Sequence, residues 1–225
     1  MRVSILVAAA GIATAQINTT PAHAQEPVNA ILDRAVKAWS KVRVVRGTFE
    51  QTVTNALTGS SAMARGDYIQ ERPNRLSIRF SQPSSDAIVA DGQVVWVYLP
   101  SSTPGQVFKR PATDRSAVPI DLTGQFLNSP KTKYDIAPAA SRTVSGHAAH
   151  GLLLTPKAGT NAPFTKATVW VNDDDSYIRE FEISDANGVT RHIKLLTLQI
   201  DPQVKQSSFV FKVPKGVKVI DQTKP

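Results

Sequence analysis

Residues 87–98 have the sequence AIVADGQVVWVY, two short apolar runs separated by the dipeptide Asp91-Gly92. Asp-Gly between apolar runs is one of the strongest signals for a tight β-hairpin, because both residues tolerate the turn conformation that joins twisted strands. This stretch therefore predicts one strand at Ala87–Ala90 and a second strand at Val94–Tyr98.

The same alternation of short apolar runs and turn residues continues on both sides of this hairpin. Only residues 111–131 interrupt it, with three prolines around an apolar set, and there we expect a loop with a short helix. Many short strands at regular spacing predict a mainly β protein with one antiparallel sheet, strongly bent or nearly closed. The other predicted strands are residues 46–53, 63–70, 76–80, 106–109, 134–136, 148–155, 167–171, 178–183, 190–198 and 209–211.

Residues 26–42 have a helical period instead. Apolar residues recur there at three- and four-residue spacing, and charged residues fall between them, which is typical of an amphipathic helix. A single helix before such a sheet is expected to lay its apolar stripe on one sheet face or to cover an opening.

The N-terminus predicts export. Arg2 precedes an apolar run from Val3 to Thr14, and a small-x-small pattern ends at Ala24, so residues 1–24 are interpreted as a cleaved signal peptide. The alternative, a transmembrane anchor, requires about 20 apolar residues, and this run is shorter. Residues 25–225 are then expected to form one domain in the periplasm. Because the chain contains no cysteine, disulfides and N-terminal lipidation are excluded.

The formal net charge is +8, but the basic residues are scattered along the chain. Basic and aromatic side chains do not interleave as they do in a nucleic-acid groove, so a nucleic-acid partner is not expected. The charge fits either a solubilising surface or docking to an acidic or anionic surface.

The motifs of common catalytic sites are missing. The sequence contains no nucleophile elbow, phosphate-binding loop or zinc-protease helix, and we predict no enzyme activity, no metal site and no cofactor. His147 and His150 are predicted to point to opposite faces of a strand, and the run Asp173–Asp175 lacks the pattern of a calcium loop. A carboxylate pair that meets only in the fold is left open. An exported protein with a bent sheet, an amphipathic helix and no catalytic motif is typical of a protein that encloses a ligand.

Several short segments follow one another at characteristic intervals. They are GTFEQ at 47–51, GDYIQERPNRL at 66–76, ADG at 90–92, VWVYLP at 95–100, LTPK at 154–157 and FVFKVPKGVKVIDQ at 209–222. Together these segments resemble the periplasmic outer-membrane lipoprotein carrier family, LolA. No single motif is specific, but their order and spacing span nearly all of the chain after residue 24.

The resemblance implies an unclosed antiparallel β-barrel, or half-barrel, with an apolar cavity and an α-helical lid. It implies an acyl-chain cavity wall that includes Phe49, Leu76, Ile78, Phe80 and Trp96. The apolar lid face would comprise Ile31, Leu32, Ala35, Trp39, Ile120, Leu122, Phe126 and Leu127.

The resemblance also implies roles for individual residues and partners. Arg72 matches the arginine that ties the closed lid down through hydrogen bonds to lid backbone, and Leu76 matches an apolar residue near the cavity mouth. The expected function is carriage of acylated lipoproteins, by a monomer, from an inner-membrane ATP-driven releasing complex to an outer-membrane acceptor. The alternative is a periplasmic regulatory protein of the same shape that senses lipid or lipoprotein.

Overall fold

The computed structural model describes residues 26–113 and 121–223. The predicted signal peptide, residues 1–24, and the predicted lid residue Ile120 therefore lie outside the described residues.

The helices are α1 (Val28–Ser40), α2 (Gly124–Leu127), α3 (Pro130–Lys133) and a 3-10 helix (Gln206–Phe209). The strands are β1 (Val44–Asn55), β2 (Ser61–Glu71), β3 (Arg75–Gln82), β4 (Ala87–Asp91), β5 (Val94–Tyr98), β6 (Gln106–Pro111), β7 (Tyr134–Val144), β8 (His147–Pro156), β9 (Lys166–Asn172), β10 (Ile178–Ser184), β11 (Val189–Ile200) and β12 (Lys218–Asp221).

All twelve strands belong to one sheet, in the order β12-β6-β5-β4-β3-β2-β1-β11-β10-β9-β8-β7. The two end strands, β12 and β7, do not pair with each other, so the sheet is unclosed and the predicted mainly β half-barrel is confirmed. One detail of that prediction is wrong. The sheet is antiparallel except at its edge, where β12 runs parallel to β6 with Lys218 opposite Gln106.

Two glycines allow the sheet to bend sharply at β1 and β2. A Cβ atom at Gly47 would lie 2.2 Å from the carbonyl oxygen of Thr197, and one at Gly66 would lie 2.4 Å from that of Arg79. The strand register also shifts beside these positions, between Thr48 and Phe49 and between Arg65 and Gly66. Bulges and glycines are the usual means by which a sheet is coiled, and here they curl its centre around the concave face.

Helix α1 packs its apolar stripe into the core that the concave face of the sheet forms. Ile31, Leu32, Ala35 and Trp39 are all buried, as the helical period predicted. Burial of a large apolar side chain contributes about 1.5–3 kcal/mol, so this packing holds the helix on the sheet. Among the described helices, none is both long and apolar enough to cross a membrane.

The predicted strand at residues 209–211 is wrong. Phe209 ends the 3-10 helix, and the Phe211 ring stacks on Trp96 at a centroid distance of 5.5 Å and lies 5.8 Å from Tyr98. Of the apolar Phe-Val-Phe pattern, Phe211 is therefore explained by packing against the side chains of β5, whereas Phe209 is buried and Val210 is exposed. The edge strand of this region is instead β12, after the break that Pro214 introduces.

Candidate binding cavity

A cavity of about 650 Å³ lies on the concave face of the sheet. Its wall is formed mainly by apolar side chains of strands β1 to β5, β10 and β11, and Leu122 and Gln125 close it on the side of the short helix α2. Polar members of the wall include Gln51, Asp86 and Arg191. The size is within the range of about 300–1,000 Å³ that ligand sites occupy.

Three residues that the sequence placed in the cavity wall do line it. They are Phe49, Ile78 and Phe80, and the rings of Phe49 and Phe80 meet edge to face at a centroid distance of 5.3 Å. Leu76 lies on the same face of β3 but is fully buried in the core, away from the open part of the cavity.

The structure places Trp96 outside the cavity wall, contrary to the prediction. Its neighbours Val97 and Leu99 line the cavity, whereas Trp96 stacks on Phe211 and lies 5.7 Å from the Lys109 ammonium group. Side chains alternate between the two faces of a strand, so Trp96 lies on the outer face of β5. The sequence predicted the strand but could not tell which face is concave. For the same reason it missed Phe181, Ile193 and Leu195, which line the cavity from β10 and β11.

The second predicted lid segment contributes both to the core and to the cavity. Phe126 is fully buried, with its ring 5.9 Å from Phe164 and 5.1 Å from Phe181, and Leu127 is buried beside it. Leu122 lines the cavity directly. The helical part of this segment is short, one turn in α2 and one in α3.

Arg72 lies directly after β2 and reaches the C-terminal end of α1. Its Nη1 donates hydrogen bonds to the main-chain carbonyl oxygens of Trp39, at 3.0 Å, and Val42, at 3.1 Å. The guanidinium also lies 5.7 Å from the centroid of the Trp39 ring and 3.9 Å from the carboxylate of Asp121. A guanidinium suits this position because its several donors have a fixed geometry and the last carbonyls of a helix lack partners within the helix.

Arg34 attaches α1 to the sheet at a second point. Its guanidinium donates to the carbonyl oxygen of Asn172 at 3.1 Å, to Ser176 Oγ at 2.9 Å and to Asp173 Oδ1 at 2.7 Å. The three acceptors lie at the end of β9 and in the turn that follows it, 138 or more positions along the chain. No local pattern in the sequence distinguishes Arg34 from an ordinary solvent-facing helix residue.

The chain matches the family described as outer membrane lipoprotein carrier protein LolA over residues 40–212. It belongs to this family. The outer-membrane lipoprotein carrier protein of Aeromonas salmonicida is 29% identical over 188 residues, which cover 80% of this chain and 84% of the relative. The protein of the same name from Salmonella typhi is 28% identical over 185 residues, covering 82% and 84%.

The fold is also similar to a solved structure. An uncharacterized conserved protein from Thermus thermophilus superposes with a TM-score of 0.51 at 16% identity, over 86% of this chain and 98% of that protein. At this identity the likeness concerns the fold alone. The LolA-family assignment therefore rests on the sequence match.

Two polar atoms in the wall of this LolA-family cavity lack hydrogen-bond partners within residues 26–113 and 121–223. They are the hydroxyl of Tyr68, a residue that is only 2% exposed, and Oε1 of Gln125. The amide nitrogen of Gln125 is engaged, because it donates to the carbonyl oxygen of Leu122 at 2.7 Å. Burial raises the pKa of Tyr68 far above its ordinary value, against a smaller opposing effect of Arg179, so its hydroxyl stays protonated.

One group of side chains has the composition of a metal site. Ligand atoms of Glu26, His150 and Asp173 lie within 4.8 Å of one another. However, the Arg34 guanidinium lies between them, 2.7 Å from Asp173 and 3.3 Å from Glu26. A cation would have to displace this arginine, and the arrangement is better described as an ion-pair network that fastens α1.

The other two histidines among the described residues, His147 and His192, also have carboxylate partners, one in the turn after β9 and one on β10. His147 contacts Asp174 at 2.5 Å, and His192 contacts the buried Glu180 at 2.7 Å. Burial favours the protonated form of Glu180, but its hydrogen bond with His192 and the charges of His192, Arg142 and Lys194 outweigh that effect and lower its pKa. These contacts involve residues outside the cavity wall, and they give the histidines a structural role.

Proposed function

We propose that this protein is a periplasmic carrier that binds the acyl chains of lipoproteins released from the inner membrane and delivers them to the outer membrane. The observation that carries the proposal is the apolar cavity on the concave face, closed on one side by Leu122 and adjoining the buried stripe of α1. Membership of the LolA family, and the name of the relatives, support lipoproteins as the cargo.

The physical problem that such a carrier solves is the cost of exposing acyl chains to water. Each buried CH₂ group contributes about 0.8 kcal/mol, so a multiply acylated protein does not leave a membrane unaided on a useful timescale. The carrier has to offer comparable apolar surface in water. Strands β1 to β5, β10 and β11 provide such a surface.

The carrier must also release its cargo. A cavity of about 650 Å³ matches a drug-sized ligand, so several long chains require further space, which the α1 stripe occupies in this structure. Ile31, Leu32, Ala35 and Trp39 then compete with the acyl chains for the same surface. This competition lowers the net affinity and permits onward transfer.

The remaining parts of the proposal concern compartment and partners. Residues 1–24 would direct export and be removed, leaving a monomer in the periplasm that needs no cofactor and binds no nucleic acid. An inner-membrane ATP-driven complex would load it, and an outer-membrane acceptor would unload it. Binding and transfer alone are required, so no enzymatic step is included.

The test is release of lipoproteins from spheroplasts. The purified protein is incubated with them, and acylated proteins are measured in the soluble fraction. We expect wild-type protein to release lipoproteins, and Ile193→Asp, which places a carboxylate in the cavity wall, to lose most of this activity because burying an unpaired charge beside acyl chains is costly.

The matched control is Leu196→Asp on the same strand, at a position that is 43% exposed and outside the cavity wall. We expect this variant to release lipoproteins as well as the wild type does. If wild-type protein binds lipid but releases nothing, it is a lipid sensor rather than a carrier. Equal activity of the wild type and Ile193→Asp would also contradict the proposal.

A further inference from the structure

The Tyr68 hydroxyl is a buried polar group of the cavity wall that has no hydrogen-bond partner within the described residues. Buried tyrosines normally bond their hydroxyl to a partner, because leaving such a group unpaired costs about 1–3 kcal/mol. Tyr134 follows the rule, since its hydroxyl donates to the carbonyl oxygen of Gln125 at 2.9 Å. Tyr68 is even less exposed than Tyr134, yet within the described parts of the chain nothing bonds to its hydroxyl.

Tyr68 belongs to the wall of the cavity in which an acyl chain would be bound, and its buried hydroxyl becomes reachable when a ligand displaces the neighbouring side chains. It belongs to the wall of the cavity together with the apolar side chains of Phe49, Ile78 and Phe181. A ligand that consisted only of hydrocarbon would leave the hydroxyl unpaired. A ligand with an acceptor atom at the end of its chain would satisfy it.

The chemistry of the surroundings selects the kind of acceptor. The hydroxyl is a neutral donor. Arg191 of the wall pairs with Val53, six positions along β1 from the partner of Tyr68, Gly47, and the Arg179 guanidinium is held by Asp175. A phosphate or carboxylate at the hydroxyl would therefore bring in a charge whose desolvation these two cations do not compensate. A neutral carbonyl oxygen does not have this cost. Carbonyls stand at the head of every ester- or amide-linked acyl chain.

The second unpaired atom complements the first. Oε1 of Gln125 is an acceptor in the same wall, and it requires a donor such as an amide N–H or a hydroxyl. A donor and an acceptor in one apolar cavity suit the linkage region of an acyl group, where a carbonyl is accompanied by an amide nitrogen or a glycerol hydroxyl.

We propose that Tyr68 is a specificity-determining residue that donates a hydrogen bond to the ester or amide carbonyl of a bound acyl chain. The inference rests on the proposed function, because it assumes that acyl chains enter the cavity. It adds that the cavity recognises the linkage of the chain as well as its hydrocarbon. An acyl lipid is then preferred over an alkyl lipid of the same length.

The test compares two probes that differ only in this carbonyl, a glycerol monoester of myristic acid and the glycerol monoether with the same chain. Affinities are measured by titration calorimetry below the concentration at which either probe forms micelles. One neutral hydrogen bond corresponds to roughly a two- to tenfold preference of wild-type protein for the ester. Tyr68→Phe removes this preference and leaves the affinity for the ether unchanged.

The matched control is Tyr134→Phe, which removes a hydroxyl that already has a partner. We expect it to lower the melting temperature and to keep the ester preference. Tyr68→Phe should instead leave the melting temperature of the empty protein unchanged or raise it, because it removes an unpaired buried group.

The outcomes separate this inference from the proposed function. Equal wild-type affinity for ester and ether overturns the role of Tyr68 and leaves the carrier function standing, as does an equal loss of both affinities in Tyr68→Phe. Failure of the wild type to bind either probe overturns both proposals.

Discussion

At the scale of single residues, Arg72 is the residue whose substitution should have the clearest effect on stability and on ligand retention. Arg72→Leu deletes both hydrogen bonds to the carbonyl oxygens of Trp39 and Val42. Hydrogen bonds of charged groups contribute about 1.5–3 kcal/mol, so we expect the free energy of unfolding in urea to fall by roughly that amount. Because the empty closed form is weakened, we expect acyl ligand to be retained longer.

Arg65→Leu is the control for this prediction. Arg65 lies on β2, seven positions before Arg72, and its side chain is 54% exposed in an ion pair with Glu50. Exposed pairs of this kind contribute about 0–1 kcal/mol, so stability and ligand retention should change little. Similar effects of the two substitutions would show that a lost positive charge, and not the attachment of α1, is responsible.

At the scale of secondary-structure elements, the sequence predicts most of the fold and only part of the cavity. The stripe of α1 was predictable because a period of three to four residues specifies a single buried face. Strand β5 was predicted at its observed bounds, yet Trp96 was assigned to the wrong face, because alternation defines two faces without saying which is concave. The attachment of α1 by Arg34 depends on a turn distant in sequence, and no local pattern reports it.

Arg34 leads to a prediction about the whole helix. Arg34→Met keeps much of the aliphatic side chain but removes the bonds to Asn172, Asp173 and Ser176. Since Arg72 holds only the C-terminal end, we expect the N-terminal half of α1 to separate from the sheet more often. Amide hydrogen exchange in α1 should be faster than in wild-type protein, with exchange in β9 and β10 nearly unchanged.

Lys37→Met is the matched substitution on the same helix. Lys37 is exposed, and in the described part of the chain it makes no hydrogen bond or ion pair through its side chain. Its replacement should leave exchange in α1 as it is in the wild type. An equal acceleration in both variants would indicate a general loss of helix stability in place of a lost attachment.

At the scale of the whole molecule, the unclosed sheet determines how the cavity can enlarge. Because β7 and β12 do not pair, a closed ring of strands does not limit access to the concave face, and α1 with the 121–127 segment covers part of it. Ligand therefore competes with the helix stripe for one apolar surface. We expect ligand binding to move α1 and to leave the pairing of the strands intact.

The chain contains no cysteine, so a single introduced thiol can report this movement. Ala35 is fully buried on the inner face of α1, Ala167 is fully buried in β9 and Ser40 is exposed. In empty protein we expect a maleimide to label Ser40→Cys rapidly and the other two variants slowly. When acyl ligand is bound, labelling of Ala35→Cys should accelerate severalfold and that of Ala167→Cys should not, because the lid leaves the cavity but the sheet does not unfold. Unchanged labelling of Ala35→Cys on loading would mean that ligand fills only the existing cavity, and the competition that we propose as the basis of release would then be absent.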